Sequence, residues 1–101
     1  MTVLSTVRAA AAGALLVNAV PHGVKGITGQ SFPSPFATPP GVGLSGPVPN
    51  VLWSAANLAG GSWLRRGVTT PAERRAMVLG AVAAAAGLAA YFHRLPTLPE
   101  A

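Results

Sequence analysis

The sequence predicts an all-α fold: a small integral membrane protein with three transmembrane helices and a long extracytoplasmic loop rich in proline and glycine. Half of its 101 residues are hydrophobic and only 9% are charged, against about 25% charged residues in an ordinary soluble domain. Three apolar segments follow one another, and the last contains an uncharged run over residues 76–92. A soluble chain of this length has too few charges to cover so much apolar surface, whereas lipid removes that requirement.

The first apolar segment predicts a transmembrane helix over residues 3–20. Pro21 and Gly23 follow this segment and are expected to end the helix. The segment also has features of a secretory signal peptide, because residues 17–19 resemble a small-residue cleavage site. We favour a retained helix over a cleaved signal.

A loop is predicted over residues 21–48. Residues 21–49 contain seven prolines and six glycines, and this density excludes a regular element across most of the span. Phe32 and Phe36 favour an ordered loop, because a solvated linker rarely carries such side chains. A short interfacial helix fits within the loop at residues 24–28.

The second helix is predicted over residues 49–64. Pro47 and Pro49 stand where the first turn of a helix tolerates proline. Trp53 and Trp63 lie near its two ends, as expected of aromatic belts at the two membrane interfaces. The helix is roughly 25 Å long at 1.5 Å per residue, so we expect it to cross a locally thin region or to lean against a partner.

The third helix is predicted over residues 72–94, after a cytoplasmic turn at 65–71. Thr70 is placed to cap this helix, and Glu73 completes a capping box. The role of Glu73 is therefore structural rather than catalytic. The part of this helix over residues 72–92 is roughly 31 Å long, which matches the hydrocarbon core of a bilayer. A short polar tail follows over residues 95–101, and the whole chain is expected to form a single membrane domain.

The basic residues determine the predicted orientation. Those assigned to the cytoplasmic side outnumber those outside by five to two, in agreement with the positive-inside rule. The cytoplasmic set is Arg8, Arg65, Arg66, Arg74 and Arg75, and the outer set is Lys25 and Arg94. The N-terminus is expected in the cytoplasm, with the loop and the C-terminus outside. A composition rich in alanine, glycine, valine and arginine indicates a GC-rich bacterium, so the expected location is the bacterial inner membrane.

Four arginines cluster around one turn, where anionic lipid headgroups are the natural partner. They are Arg65, Arg66, Arg74 and Arg75. The net charge of +5 reflects the presence of only two acids rather than a dense basic stripe. No groove of aromatic and basic residues accompanies this charge, so we expect no nucleic-acid partner.

Several kinds of chemistry are excluded by the residues that are missing. The chain has no cysteine, which excludes disulfides, thiolate metal sites and iron–sulfur ligation. His22 and His93 are too few to build a metal site. The sequence carries no paired carboxylates, no nucleophile–base arrangement and no phosphate-cradling loop. We therefore expect no enzymatic activity and no cofactor.

Small residues recur at four-residue spacing in all three segments, which predicts close helix packing, because packing rather than hydrophobicity joins helices in lipid. Asn50, Trp53 and Asn57 share one face of the second helix. Amides inside a membrane need partners, so Asn18 and Asn57 are expected to bond across helices or to cap loop backbone. A polar ligand or ion site at the outer end is the alternative. The candidate packing and partner contacts are Asn18, His22, Phe32, Phe36, Trp53, Asn57, Gly60, Gly80 and Gly87.

Four short motifs follow one another between residues 18 and 58. They are Asn18-Ala-Val-Pro-His22, Gly26-Ile-Thr-Gly29, Phe32-Pro-Ser-Pro-Phe36 and Asn50-Val-Leu-Trp53. This series resembles an uncharacterised family of small bacterial integral membrane proteins with N-x-x-P-H, G-x-x-G, F-P-x-P-F and N-x-x-W motifs. The resemblance implies that the outer loop adopts one defined fold, and it implies no substrate.

The function that we predict is a non-catalytic accessory subunit that docks on and stabilises a larger bacterial inner-membrane complex, such as a lipid transporter or a respiratory assembly. Three observations support this prediction: the sequence has no catalytic motif, small residues recur along the helices, and a long loop joins the first two. One alternative is a self-associating small pore or transporter. Another is a small-molecule-binding membrane regulator built around Asn18, His22 and Asn57.

Overall fold

The computed structural model describes residues 2–96 and residue 98, and it confirms the predicted all-α class. Three helices account for most of the described chain, and two strands of two residues each pair in antiparallel fashion between the first and second helices. The elements are α1 (Val3–Ile27), β1 (Phe32–Pro33), β2 (Leu44–Ser45), α2 (Pro47–Arg65) and α3 (Pro71–His93).

Helix α1 lies between α2 and α3 and makes extensive contacts with both. It is antiparallel to α2, because Leu16 packs against Gly61 whereas Gly26, further along α1, packs against Val51. A side chain at Gly26 or Gly61 would overlap atoms of the other helix. Both glycines are therefore needed for the close approach of the two helices.

Helix α1 runs parallel to α3. Arg8, near the start of α1, bonds to Glu73 at the start of α3. At the other end, the ring of His22 lies 6.4 Å from the ring of Phe92. The three helices therefore run up, down and up, with the α2–α3 turn beside the start of α1.

The predicted end of the first helix at residue 20 is wrong. Helix α1 continues through Pro21 and Gly23 to Ile27, so residues 24–27 belong to it and do not form a separate helix. Proline lacks one backbone donor, but a helix tolerates this loss where tertiary contacts hold the following turn. Here His22 bonds to Asn50 of α2 at 2.7 Å.

The other two helices begin and end within two residues of the predicted positions. The first turn of α2 contains both Pro47 and Pro49. Thr70 Oγ1 accepts a bond from the Glu73 amide at 3.1 Å, and Glu73 Oε1 accepts one from the Thr70 amide at 3.0 Å. The predicted capping box is thus confirmed. Most of the predicted 95–101 tail lies outside the described residues.

Residues 28–46 form a compact segment over one end of the helices, which we call the cap. The β1–β2 pair lies within the cap, and Phe32, Ser34 and Ala37 are buried there. The Ser34 and Ser45 hydroxyls bond at 2.6 Å. The cap is shorter than the predicted 21–48 loop, because α1 extends into that range and α2 starts before its end.

Two helices, Val3–Ile27 and Pro71–His93, are long and apolar enough by length and composition to cross a membrane. Their most apolar 18-residue windows have mean hydropathies of 1.6 and 1.7. Helix α2 carries three polar side chains, Asn50, Ser54 and Asn57, on its buried face. The polar side chains on the buried face of α2, rather than the length of the helix, distinguish it from α1 and α3.

Candidate functional site: a polar cavity beneath the cap

Asn50 is the centre of the hydrogen-bond network that joins the cap to the helices. Its side chain is fully buried, and its amide nitrogen donates to the carbonyls of Phe32 at 2.9 Å, Ser45 at 3.2 Å and Gly46 at 3.0 Å. Its amide oxygen faces His22 Nδ1 at 2.7 Å. Because that oxygen can only accept, the proton of the neutral imidazole lies on Nδ1.

This arrangement makes His22 Nε2 a hydrogen-bond acceptor. The residue is 3% exposed, and Nε2 makes no hydrogen bond to any residue that the structure describes. His22 lines the cavity beneath the cap. A nearly buried imidazole therefore offers one acceptor to whatever occupies that cavity.

A second acceptor comes from a pair of amides. Asn57 Nδ2 donates to the carbonyl of Trp53 at 2.8 Å, so its oxygen is the acceptor for Asn18 Nδ2 at 3.1 Å. Asn18 and Asn57, each expected to bond across helices or to cap loop backbone, bond to each other between α1 and α2. Asn18 Oδ1 then remains as an acceptor that bonds to none of the described residues, and Asn18 also lines the cavity.

Aromatic rings surround His22. The centroids of Phe32, Trp53 and Phe92 lie 5.4, 6.5 and 6.4 Å from the imidazole, all in edge-on geometry. Phe36 in turn packs edge-on against Trp53 at 5.3 Å, although its own side chain is largely exposed. The rings fix the imidazole within an apolar wall.

The cavity has a volume of about 300 Å³ and is lined by the cap and all three helices. Its lining residues are Asn18, His22, Pro33, Ser34, Pro35, Gly41, Trp53, Leu88, Tyr91 and Phe92. No charged side chain from residues 2–96 lines it. The Tyr91 hydroxyl donates to the Gly41 carbonyl at 2.6 Å and so ties α3 to the cap.

A groove of about 390 Å³ lies between α1 and α3 and adjoins the cavity. It is lined by Ala14, Leu15, Asn18, Ala84, Gly87 and Leu88. Asn18 and Leu88 line both spaces. The position of a side chain at Gly87 is open, with no atom within 4 Å.

The predicted packing residues separate into two groups. Asn18, His22, Phe32, Trp53 and Asn57 come together beneath the cap, with Phe36 beside them. The three glycines lie elsewhere and differ from one another.

Of these glycines, only Gly80 is in tight contact, because a side chain there would overlap the backbone of Ala10. Gly60 has Leu15 at an ordinary contact distance of 3.5 Å from the position of a Cβ, and Gly87 faces open space. Neither of these two glycines is therefore required for packing within the chain.

Sequence reasoning left several structural residues out of the candidate set. Asn50 was recognised only as sharing a face with Trp53 and Asn57. Gly13 belongs, with Ala9, to the four-residue spacing of small residues in the first helix. Neither Gly13 nor Gly61 is in the candidate set, although a side chain at Gly13 would overlap the Met77 carbonyl. Spacing alone did not single these two glycines out, because neighbouring glycines and alanines fit the same pattern.

The basic turn lies at the opposite end of the molecule. The four arginines predicted to meet anionic lipid are exposed: Arg65, Arg66, Arg74 and Arg75. Arg74 and Arg75 line a surface hollow of about 440 Å³ together with Val78 and Leu79. Arg8 differs, because it is partly buried, donates to the Gly67 carbonyl at 3.0 Å and pairs with Glu73 at 3.5 Å.

In comparisons with known proteins, the chain matches no family model, no curated protein and no solved structure. The protein is therefore described by its fold and its site. It is an all-α protein with two helices long and apolar enough to cross a membrane, and it has a cavity beneath a folded cap. Among the described residues, no group of three or more metal-ligating side chains is assembled.

Proposed function

We propose that the protein is a non-catalytic accessory subunit of a larger complex in the bacterial inner membrane, with all three helices crossing the bilayer. Support for the third span comes from the way α2 packs. Asn50, Ser54 and Asn57 turn inward against α1, while Leu52 and Leu58 point outward. The 19-residue helix is about 28 Å long, so with its polar face covered it suits lipid.

The proposed orientation places the N-terminus in the cytoplasm and the cap outside. The α2–α3 turn carries the exposed arginines, and Arg8 bonds to the same turn. Excess arginine at one end of a helical membrane protein favours the cytoplasmic side. The cap is at the opposite end of the helices, and Lys25 and Arg94 lie at that end.

The observation that carries the accessory-subunit proposal is an uncovered face of α3. Ala83, Ala86, Gly87 and Ala90 share about 100° of the helix surface, and all four are exposed. Small residues let another helix approach closely, which is the main source of helix–helix affinity in lipid. We take the partner to be a helix of a larger membrane protein, such as a subunit of a lipid transporter or a respiratory assembly.

Purification from native membranes in mild detergent tests this proposal. The tagged protein is expected to retain a stoichiometric larger membrane protein, identified by mass spectrometry. Ala83→Leu should release it, because the added side chain holds the helices apart. Ala85→Leu is the matched control, since Ala85 is also exposed but lies on the far side of α3. A homo-oligomer with nothing else bound, or equal retention by both variants, contradicts the proposal.

A second candidate function, binding of a small molecule, is favoured by the cavity beneath the cap. His22 Nε2 and Asn18 Oδ1 are two acceptors in a partly open, largely apolar space, and a few polar groups in an apolar lining are the usual character of a ligand site. Native mass spectrometry of the protein from its own membranes tests it, and a stoichiometric bound small molecule is expected. A self-associating pore has less support, because Asn18, His22, Asn50 and Asn57 bond to one another instead of forming a stripe along one helix.

A further inference from the structure

We infer that the cavity and the adjoining groove form one binding site for a single-tailed neutral lipid whose headgroup carries hydroxyl donors, of the monoacylglycerol class. This inference rests on the second proposed function, binding of a small molecule. The headgroup occupies the cavity beneath the cap, and the first part of the tail occupies the groove between α1 and α3.

The hydrogen-bond acceptors in the cavity favour a ligand that carries hydrogen-bond donors. Both hydrogen-bond networks leave an acceptor at the cavity, His22 Nε2 and Asn18 Oδ1, because His22 Nδ1 bonds to Asn50 and one of the two N–H groups of Asn18 Nδ2 bonds to Asn57. Hydroxyl groups suit this set, since each can donate to an acceptor and also accept from the second Asn18 N–H. The two residues are one helical turn apart on α1, with a rise of about 6 Å between them. Two neighbouring hydroxyl groups supply one donor for each acceptor.

The absence of charge in the lining selects a neutral headgroup. Among the residues that the structure describes, no lysine, arginine, aspartate or glutamate lines the cavity. A phosphate or carboxylate there would lose its hydration without gaining a counter-charge, which is strongly unfavourable. Lys25 lies 6.0 Å from the ring of Phe32, outside the lining.

The groove accounts for the tail. It starts at Asn18 and Leu88, which it shares with the cavity, and descends to Ala14 and Ala84. Immediately below Ala14, Gly13 packs on the backbone of α3 and closes the groove. The missing side chain of Gly87 leaves room for one hydrocarbon chain, and the rest of the tail continues into the bilayer.

Native mass spectrometry of the detergent-purified protein with added monoolein tests the assignment. One bound monoolein per protein is expected. Methyl oleate has the same tail but no hydroxyl donor, and oleoyl lysophosphatidylglycerol has hydroxyls but also a phosphate charge. We expect each to bind about tenfold or more weakly than monoolein. Methyl oleate loses one hydrogen bond or more, and the phosphate of the lysolipid loses hydration without gaining a counter-charge.

Two matched pairs of variants locate the site. Asn18→Ala and Asn57→Ala both break the bond between the helices, but only Asn18→Ala removes an acceptor from the cavity, so only it should weaken monoolein binding about tenfold. Gly87→Leu places a side chain in the groove from a position whose Cβ has no described atom within 4 Å, and it should abolish binding. Ala85→Leu, outside the groove, should bind as the parent does. Circular dichroism verifies that all four variants retain their helices.

Several results would overturn the lipid assignment. Equal binding of monoolein and methyl oleate would show that the two acceptors do not bind the headgroup. Equal binding of the phosphate-bearing lipid would show that the site does not require a neutral headgroup. Unchanged binding by Gly87→Leu would show that the lipid tail does not occupy the groove. A different molecule bound after purification from native membranes would contradict the lipid assignment but support the proposal that the protein binds a small molecule. A protein that carries no ligand from native membranes and does not bind monoolein would contradict both proposals.

Discussion

Helix α1 is joined to its two neighbours in different ways. Toward α2 it uses polar contacts: Asn18 bonds to Asn57, His22 bonds to Asn50, and Ser54 donates to a carbonyl of α1 at 2.7 Å. Toward α3 the contacts along the middle of the helix are made by small residues and backbone, above all at Gly13 and Gly80. Hydrogen bonds and close packing are the two general means of joining helices in lipid. Close packing at glycine joins α1 to both neighbours, and the side-chain hydrogen bonds along the middle of α1 are added on the α2 side.

The division has a functional consequence. The polar interface can leave acceptors directed into a cavity, because each amide and imidazole has more bonding capacity than its partner uses. The small-residue interface has no such surplus, and it leaves a groove only where α3 moves away from α1 above Gly13. The candidate site lies where these two interfaces meet beneath the cap.

The largest effect is expected from Asn50→Ala in the polar interface. This variant removes the donor to three carbonyls and the acceptor for His22, all of them in buried or partly buried surroundings. The free energy of unfolding should fall by about 4 kcal/mol, since each unsatisfied group costs about 1–3 kcal/mol. Unfolding in SDS measures this change, and hydrogen exchange should rise across residues 28–46. Leu52→Ala, on the exposed face of α2, is the control, and a cap that stays protected in Asn50→Ala contradicts the role of Asn50.

A slightly smaller effect is expected from Gly13→Ala in the small-residue interface. The new methyl group overlaps the Met77 carbonyl, so α1 and α3 must separate. The expected loss is about 3 kcal/mol, the upper part of the range for overpacking. Gly87→Ala adds the same methyl group where no atom lies within 4 Å and should leave stability unchanged or slightly higher. If the two variants unfold alike, the packing of α1 on α3 differs from that described here.

A pair of adjacent glycines sharpens the comparison within α2. Gly61→Ala meets the Leu16 side chain and should cost about 1–2 kcal/mol, because that side chain is able to shift in part. Gly60→Ala has only an ordinary contact with Leu15 and should be close to neutral. The difference between the two variants in SDS unfolding checks the rotation of α2 about its axis. The opposite order would mean that α2 presents its other face to α1.

The smallest effect is expected from the amide pair itself. A double-mutant cycle with Asn18→Ala and Asn57→Ala isolates the bond between the two side chains. The coupling energy should be about 0.6 kcal/mol, the typical strength of such bonds inside a membrane. The sum of the single-variant losses should therefore exceed the loss in the double variant by that amount. Strict additivity would indicate that the two amides do not bond.

The sequence by itself determined the local features. The third helix begins where Thr70 and Glu73 form a capping box, because those contacts span only three residues and need no partner element. The all-α class follows equally from three long apolar segments. The need of Asn18 and Asn57 for hydrogen-bond partners was also predictable, since amides in apolar segments must find them, whereas the sequence left open whether each would bond across helices or cap loop backbone.

The tertiary structure alone decided where the chain departs from local rules. Pro21 does not end α1, because contacts with α2 hold the turn that follows it. Gly13 and Gly80 make close approaches between α1 and α3, and Gly61 makes one between α1 and α2, whereas Gly60 and Gly87 make none. Small residues at four-residue spacing occur on several faces of each helix, and only the relative rotation and offset of the helices determine which face meets a neighbour and which is left open.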